Sequence, residues 1–256
     1  TSGIIHANRL HTICESGLCP NRAECWRLGT ATLMIGGNIC TRHCRFCNTP
    51  SGRPLPLDGD EPQRVAESVK EMNLKYVVLT SVDRDDLPDM GAEHWRQTVE
   101  AVRQLCPAKI EVLLPDFQGR DDLMDIVLLS RPDVVAHNIE TVRRLTPVVR
   151  SVATYEGSLH VLRHIHEQGF VAKSGLMLGL GETEAEVLQT LRDLRDSGVD
   201  RVTIGQYLQP TAHHLPVAAY IAPDKFRWYR DQALQMGFSS AVSGPLVRSS
   251  YKAGMD

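Results

Sequence analysis

Seven short apolar runs separated by segments of helical period predict an α/β protein: a partial parallel barrel of the (β/α)6 type. A cysteine-rich extension precedes it and a short tail follows it. Three observations carry this prediction. The runs are β-branched and almost continuously apolar, as strands buried on both faces of a parallel sheet are. The segments between them place apolar residues three or four apart. Residues of unusual chemistry follow the strands directly, where parallel sheets carry their functional groups. Six clear strand–helix units and a weaker seventh are too few for a closed eight-stranded barrel.

In chain order, the predicted strands span 31–35, 76–80, 110–114, 133–136, 171–178 and 201–204, with a weaker one at 238–242. Between the first two, Asp60 is placed to cap a helix with Pro62 in its first turn and Val65, Val69 and Met72 on one face. Trp95, Val99 and Val102 line the next helix, and Leu159, Leu162 and His166 a later one. Thr183 followed by Glu186 reads as a capping box ahead of Val187, Leu191 and Leu194. The expected division is an extension over 1–30, a barrel over 31–243 and a tail over 244–256.

Bulk properties exclude several function classes. A net charge of −3 and pI near 6.3 give no reason to expect nucleic-acid binding. No apolar run approaches the roughly 20 residues of a membrane span, and no signal peptide opens the chain. The expectation is therefore a cytoplasmic protein. Because the sequence opens on Thr1 rather than Met, an organellar leader or amino-terminal arm ahead of it stays open.

Cysteine placement is the most informative feature. Six of the seven cysteines, Cys14 to Cys47, fall within 34 residues; the seventh, Cys106, reads as a small core residue at a helix end. An odd count in a chain able to build a full core favours metal over a disulfide framework. Cys40, Cys44 and Cys47 have the spacing C-x3-C-x2-C in the loop after the first strand. Three thiolates on a tight loop can hold three irons of a four-iron cubane and leave the fourth open to substrate. A zinc knuckle completed by His43 or His11 is the alternative. Cys14, Cys19 and Cys25, spaced C-x4-C-x5-C, again lack a fourth cysteine, so that site needs another ligand or stays open.

The second triplet, with Phe46 inside it, resembles the cluster loop of the radical S-adenosylmethionine (SAM) superfamily. Further motifs narrow the likeness. Thr12-x-Cys14-x4-Cys19-Pro20-Asn21-x3-Cys25-Trp26 and the terminal Arg248-Ser249-Ser250-Tyr251 are similar to the lipoyl synthases of that superfamily. So are the stretches from Thr80 to Asp86, His137 to Thr141 and Gly205 to Leu208, so the likeness spans nearly the whole chain.

The resemblance implies a sulfurtransferase with two [4Fe-4S] clusters and S-adenosyl-L-methionine. It implies that Cys40, Cys44 and Cys47 hold the cluster that cleaves S-adenosylmethionine. Cys14, Cys19 and Cys25 would hold an auxiliary cluster with Ser250 as fourth ligand, and Arg248 would share in the chemistry of that tail. The motif around Gly175, Met177, Gly179 and Glu182 resembles the adenine side of the cofactor site; Asn138 and Glu140 suit a ribose and Lys173 the cofactor carboxylate. The implied substrate is an octanoyl group on a lysine of a lipoyl carrier protein, a lipoyl domain or the glycine-cleavage H protein, with sulfur entering at C6 and C8. The implied electron donor is a ferredoxin or flavodoxin. Another two-cluster radical enzyme, a ferredoxin-like carrier and a structural zinc protein are the competing readings. Arg143, Arg144, Arg150 and Arg163 read either as a solvated basic face or as a surface steering an acidic carrier.

Overall fold

The computed structural model describes residues 2–254, so residue 1 of the expected extension and residues 255–256 of the tail lie outside the described residues. Seven strands form an open parallel sheet in simple sequence order: β1 (Thr30–Ile35), β2 (Tyr76–Ser81), β3 (Lys109–Leu113), β4 (Val134–Ala136), β5 (Ala172–Leu178), β6 (Arg201–Gln206) and β7 (Ser240–Gly244). The weak seventh strand is therefore real, starting two residues later than its apolar pattern suggests. The chain forms two compact units: Thr1–His43, Asn48–Asp133 and Lys252–Asp256 make one, Cys44–Cys47 and Val134–Tyr251 the other.

In the first unit, three short helices precede β1: α1 (Ser2–Ala7), α2 (Ile13–Ser16) and α3 (Arg22–Arg27). An antiparallel bridge from His11 to Met34 lays this extension along β1, covering polar groups that a sheet edge would expose. Helices α4 (Glu61–Glu71) and α5 (Ala92–Leu105) pack together, and Val65, Val69, Trp95 and Val99 on them are buried. Pro62 sits in the first turn of α4 as expected, but the Asp60 side chain makes no cap there; Asp58 instead accepts the Asp60 N–H. A 3-10 turn at Phe117–Gly119 leads into α6 (Asp121–Leu128), a helix that the sequence signals missed because no side chain caps it.

The second unit carries α7 (Thr146–Val149), α8 (Tyr155–Glu167), α9 (Glu184–Asp196) and α10 (Pro223–Gln235) around β4–β7. Its core includes Leu162, Leu176, Val187, Leu191, Ile204 and Phe226. Both halves of the Thr183–Glu186 capping box form at the start of α9. In α8 the inward face runs through Tyr155, Ser158, Val161, Leu162 and Ile165; His166, expected on it, is exposed because the face is displaced by one position. Helix α10 went unread although Phe226, Tyr229 and Ala233 mark a buried face behind Pro223. Among the described residues no helix is long and apolar enough to cross a membrane.

Candidate functional site

The first cysteine triplet lies in the first unit, beside β1. Thr12 caps α2 by accepting the Cys14 N–H at 3.1 Å and donates its own hydroxyl to the Thr32 carbonyl at 2.6 Å. These two bonds tie Cys14 to the strand. Cys14 and Cys25 are each 8% exposed, and Cys19 is half-buried. Burial pushes the Cys25 thiol pKa up, and the neighbouring Cys19, Cys14 and Glu24 push the same way. A buried thiol whose neighbours oppose its ionisation suits a group that takes it as thiolate. The Lys252 backbone N–H donates to the Cys25 sulfur, the kind of contact that stabilises a ligating thiolate.

The second triplet starts where β1 ends. Gly36 and Gly37 turn the chain at φ +78° and +99°, conformations that glycine adopts without strain. The Gly36 N–H is held by Glu61 at 2.8 Å, itself paired with buried His94 at 2.6 Å. Bonds from Cys40 N–H to the Pro50 carbonyl (2.8 Å) and from Gly52 N–H to the Cys40 carbonyl (2.9 Å) close the base of the loop. The Cys40 sulfur accepts N–H groups from Arg42 at 3.4 Å and Asp83 at 3.3 Å. Burial, then the Asp83 carboxylate, pushes its pKa up to about 12. As at Cys25, donors already aimed at the sulfur, with no metal charge to hold the thiolate, fit a cluster ligand.

The motif after β2 gains a role that its sequence did not reveal. The buried Arg42 guanidinium pairs bidentately with Asp85 at 2.7 and 2.8 Å, with Asp116 at 2.8 Å and with Asp83 at 3.4 Å. Burial opposes its charge, but the bonds from Asp85 and Asp116 outweigh that and keep it protonated. Arg84 holds the Gly36 carbonyl at 3.1 Å while paired with Asp86. The loop that carries Cys40 is thus fastened by residues more than 40 positions downstream.

Cys44 and Cys47 belong to the second unit. There the Arg45 N–H donates to the Val149 carbonyl at 2.9 Å, and the Cys44 sulfur meets Ser151 at 3.6 Å. From the other side, the Leu215 N–H reaches the Arg45 carbonyl at 3.2 Å and His214 Nε2 the Cys47 carbonyl at 3.0 Å. Phe46 is half-buried within this clasp.

Also in the second unit, the expected cofactor residues gather at the ends of β4 and β5. Glu140 has φ +65°, a strained value for this residue type, and is held on β5 by bonds to the Gly175 carbonyl and the Met177 N–H. Asn138 Nδ2 donates to Glu140 Oε1 at 3.1 Å, while buried Asn138 Oδ1 has no partner among the described residues. A Cβ at Gly175 would lie 2.7 Å from that oxygen. An orphaned acceptor over a bare glycine is a cradle for a ligand donor such as a ribose hydroxyl. Burial pushes the Glu140 carboxyl pKa up, against the pull of Arg150 and Asn138. Lys173 is 2% exposed on β5 rather than reaching to the surface.

Gly179 is required for an internal reason. At φ +100°, a Cβ there would overlap the Gln206 side chain and the Ala219 carbonyl. Its N–H goes to Glu182 at 2.6 Å and its carbonyl accepts from Ala218 at 2.8 Å, so it shapes the loop. The tail packs on β6, where a Cβ at Gly205 would overlap the Val247 carbonyl, and Arg248 donates to that carbonyl at 2.7 Å. Among the described residues no three Cys, His, Asp or Glu side chains converge on one metal ion; cubane thiolates bind separate irons. Arg42, Asp116 and His214 are the residues that sequence reasoning missed; Asp85 and Gln206 lie in motifs that it singled out, but their partners were set by packing.

Comparison with known proteins bears on all of this. Residues 34–194 match the model of the radical SAM superfamily. The chain is 58% identical over 254 residues to a lipoyl synthase of Parabacteroides distasonis, covering 99% of this chain and 90% of that protein. It is 57% identical over 255 residues to a lipoyl synthase of Porphyromonas gingivalis, with 99% and 90% covered. Among solved structures, methylornithine synthase superposes with TM-score 0.64 at 16% identity, over 84% of this chain and 71% of that one. SuiB of Streptococcus suis bound to S-adenosylmethionine gives TM-score 0.67 at 12% identity, over 87% and 53%. At those identities the likeness to the solved structures is one of fold.

Proposed function

We propose the reaction from one premise: the chain belongs to the lipoyl synthases, a family of the radical SAM superfamily, and is a sulfurtransferase enzyme of that type. Its reaction inserts two sulfur atoms, at C6 and C8, into an octanoyl group carried on a lysine of a lipoyl carrier protein. That carrier is a lipoyl domain or a glycine-cleavage H protein, and a ferredoxin or flavodoxin supplies electrons in the cytoplasm. The observation that carries this reading is the pair of cysteine triplets, each one thiolate short of filling a four-iron cluster, with sulfur-directed N–H groups at Cys25 and Cys40. When bound, the cluster of Cys40, Cys44 and Cys47 supplies, with S-adenosylmethionine, a 5′-deoxyadenosyl radical, and the auxiliary cluster of Cys14, Cys19 and Cys25 supplies sulfur.

The protein's own groups hold and orient these partners. Asn138 and Glu140 bind the ribose hydroxyls, a reading supported by the orphaned Asn138 oxygen. Lys173 pairs with the cofactor carboxylate, Phe46 packs beside the cofactor, and Gly179 shapes the loop that receives it. Ser250 completes the auxiliary site, with Arg248 beside it in the chain. A serine oxygen is a harder, weaker partner for iron than thiolate, which suits a cluster that must give up its sulfur.

Mass spectrometry of an octanoylated carrier after anaerobic turnover tests the reading. A product gaining two sulfur atoms, from protein holding about eight irons, is the expected result. S-adenosylmethionine cleavage with no sulfur in the carrier would sink the assignment.

A further inference from the structure

The residues that follow Ser250 are anchored far more firmly than an ordinary polar tail. Ala253 is 1% exposed and packs against Tyr76 and Val78 of β2. Its carbonyl accepts the Thr30 hydroxyl at 3.3 Å. Gly254 lies at φ +91°, so close to Tyr76 that a Cβ would meet the ring at 2.5 Å. The ring is itself fixed, its hydroxyl donating to buried Glu111 on β3 at 2.8 Å. One residue earlier, Lys252 adopts φ +53°, points its N–H at the Cys25 sulfur and brings its ammonium 3.4 Å from Glu24. All of these groups belong to the first unit.

We propose that Lys252, Ala253 and Gly254, seated on Tyr76, form an anchor that positions Ser250 as the releasable ligand of the auxiliary cluster. The inference rests on the reading of Ser250 as that ligand. A weak oxygen ligand binds well only if the chain carrying it is already ordered, because ordering cost is otherwise charged to the bond. An anchor two residues downstream holds the serine at high local concentration. It also lets the serine leave iron while the tail stays docked. Tyr76, Ala253 and Gly254 are thus positioning residues, and the Lys252 N–H steadies the thiolate at Cys25.

The test uses the full chain, reconstituted with both clusters and challenged with a ferrous-iron chelator. In Gly254→Ala, iron should leave the auxiliary cluster about ten-fold faster than in wild type, the ratio that about 1.4 kcal/mol of lost anchoring gives. Ser250→Ala should do the same, and Mössbauer spectra should assign the loss to that cluster. Ala253→Asp, which sets a charge against the Tyr76 ring, should reproduce the effect by another route. S-adenosylmethionine cleavage, which uses the other triplet, should stay within about two-fold in Gly254→Ala and Ala253→Asp, reporting an intact fold. Wild-type iron release in Gly254→Ala and Ala253→Asp, with fast release in Ser250→Ala, would overturn the anchor and leave the serine assignment standing. Wild-type release in Ser250→Ala would overturn the serine assignment and the anchor with it. Cleavage lost in step with iron would mark a general fold defect and overturn the positioning role.

Discussion

Single residues carry the proposed cofactor site and the proposed releasable ligand. Gly175 leaves room for the Asn138 side chain, so Gly175→Ala should press on Asn138 Oδ1 and, more lightly, on the Thr203 hydroxyl of β6, and close the cradle. S-adenosylmethionine binding, measured by equilibrium titration of the loaded protein, should weaken by about 1–3 kcal/mol, roughly five- to 150-fold. Unchanged affinity would place the ribose elsewhere. Ser250 and its neighbour Ser249 offer a sharper contrast. Ser250→Ala should remove sulfur insertion, Ser249→Ala should be milder, and Ser250→Cys should keep the cluster but hold its iron too firmly for release. Full sulfur insertion by Ser250→Ala would mean that another group completes the site.

At the scale of elements, the proposed function divides the labour between the two cysteine loops. Replacing Cys40, Cys44 or Cys47 with alanine should abolish formation of 5′-deoxyadenosine and leave a spectroscopically visible auxiliary cluster. Replacing Cys14, Cys19 or Cys25 should leave some cleavage but no sulfur product. Equal loss in both sets, with folded and iron-loaded proteins, would refute that division. Helix α9 permits a pH test. Its Glu186 caps Thr183 and pairs with Arg144, and the bond to Arg144 first, then that to the Thr183 backbone, pull its pKa down to about 2. A lowered carboxyl pKa contributes stability above the ordinary value of 4.5 and loses it as pH falls toward 2. Glu186→Gln should therefore cost no more than about 1 kcal/mol at neutral pH, most of Arg144 being in water. In denaturant unfolding that difference should vanish as pH approaches about 2. The same pairing bears on the arginines near α8. Arg144 is bound to Glu186, and Arg143 to Glu156 and Asp193 while stacked on Tyr155. Their charge is answered within the unit, so reversing both to glutamate should lower the thermal midpoint and leave the KM for carrier protein within about two-fold.

Across the whole molecule, the proposed function links iron and fold. Cys14 and Cys25 are nearly buried in a cluster of thiols, and the Cys40 thiol pKa is pushed up to about 12. Without metal the Cys25 and Cys40 sulfurs stay protonated, and N–H groups aimed at them are poorly used. Binding free energy at such sites is folding free energy. Calorimetry should therefore find the iron-free protein unfolding several degrees below the loaded one. Equal midpoints would mean that the two triplets are shaped before metal arrives and gain nothing from it.

Features local in the chain were legible from sequence alone. Apolar runs mark seven strands within a residue or two, because a strand buried on both faces needs no distant information. The cysteine spacings and the Thr183–Glu186 cap are equally local, since each is completed within a single loop or turn. What only the tertiary structure decided is what those local pieces meet. Arg42 finds Asp85 and Asp116 from 43 and 74 residues away, and His214 reaches Cys47 across 167. Thr30 holds Ala253 across 223. Helix periodicity failed where burial is partial: His166 is spaced for the inner face of α8 yet lies in water. Gly175 and Gly179 look alike in sequence, but one makes way for the Asn138 side chain with its orphaned oxygen and the other for Gln206 and the Ala219 carbonyl. Spacing determines which groups can sit on one loop; what approaches that loop from elsewhere is set by packing, which no local pattern encodes.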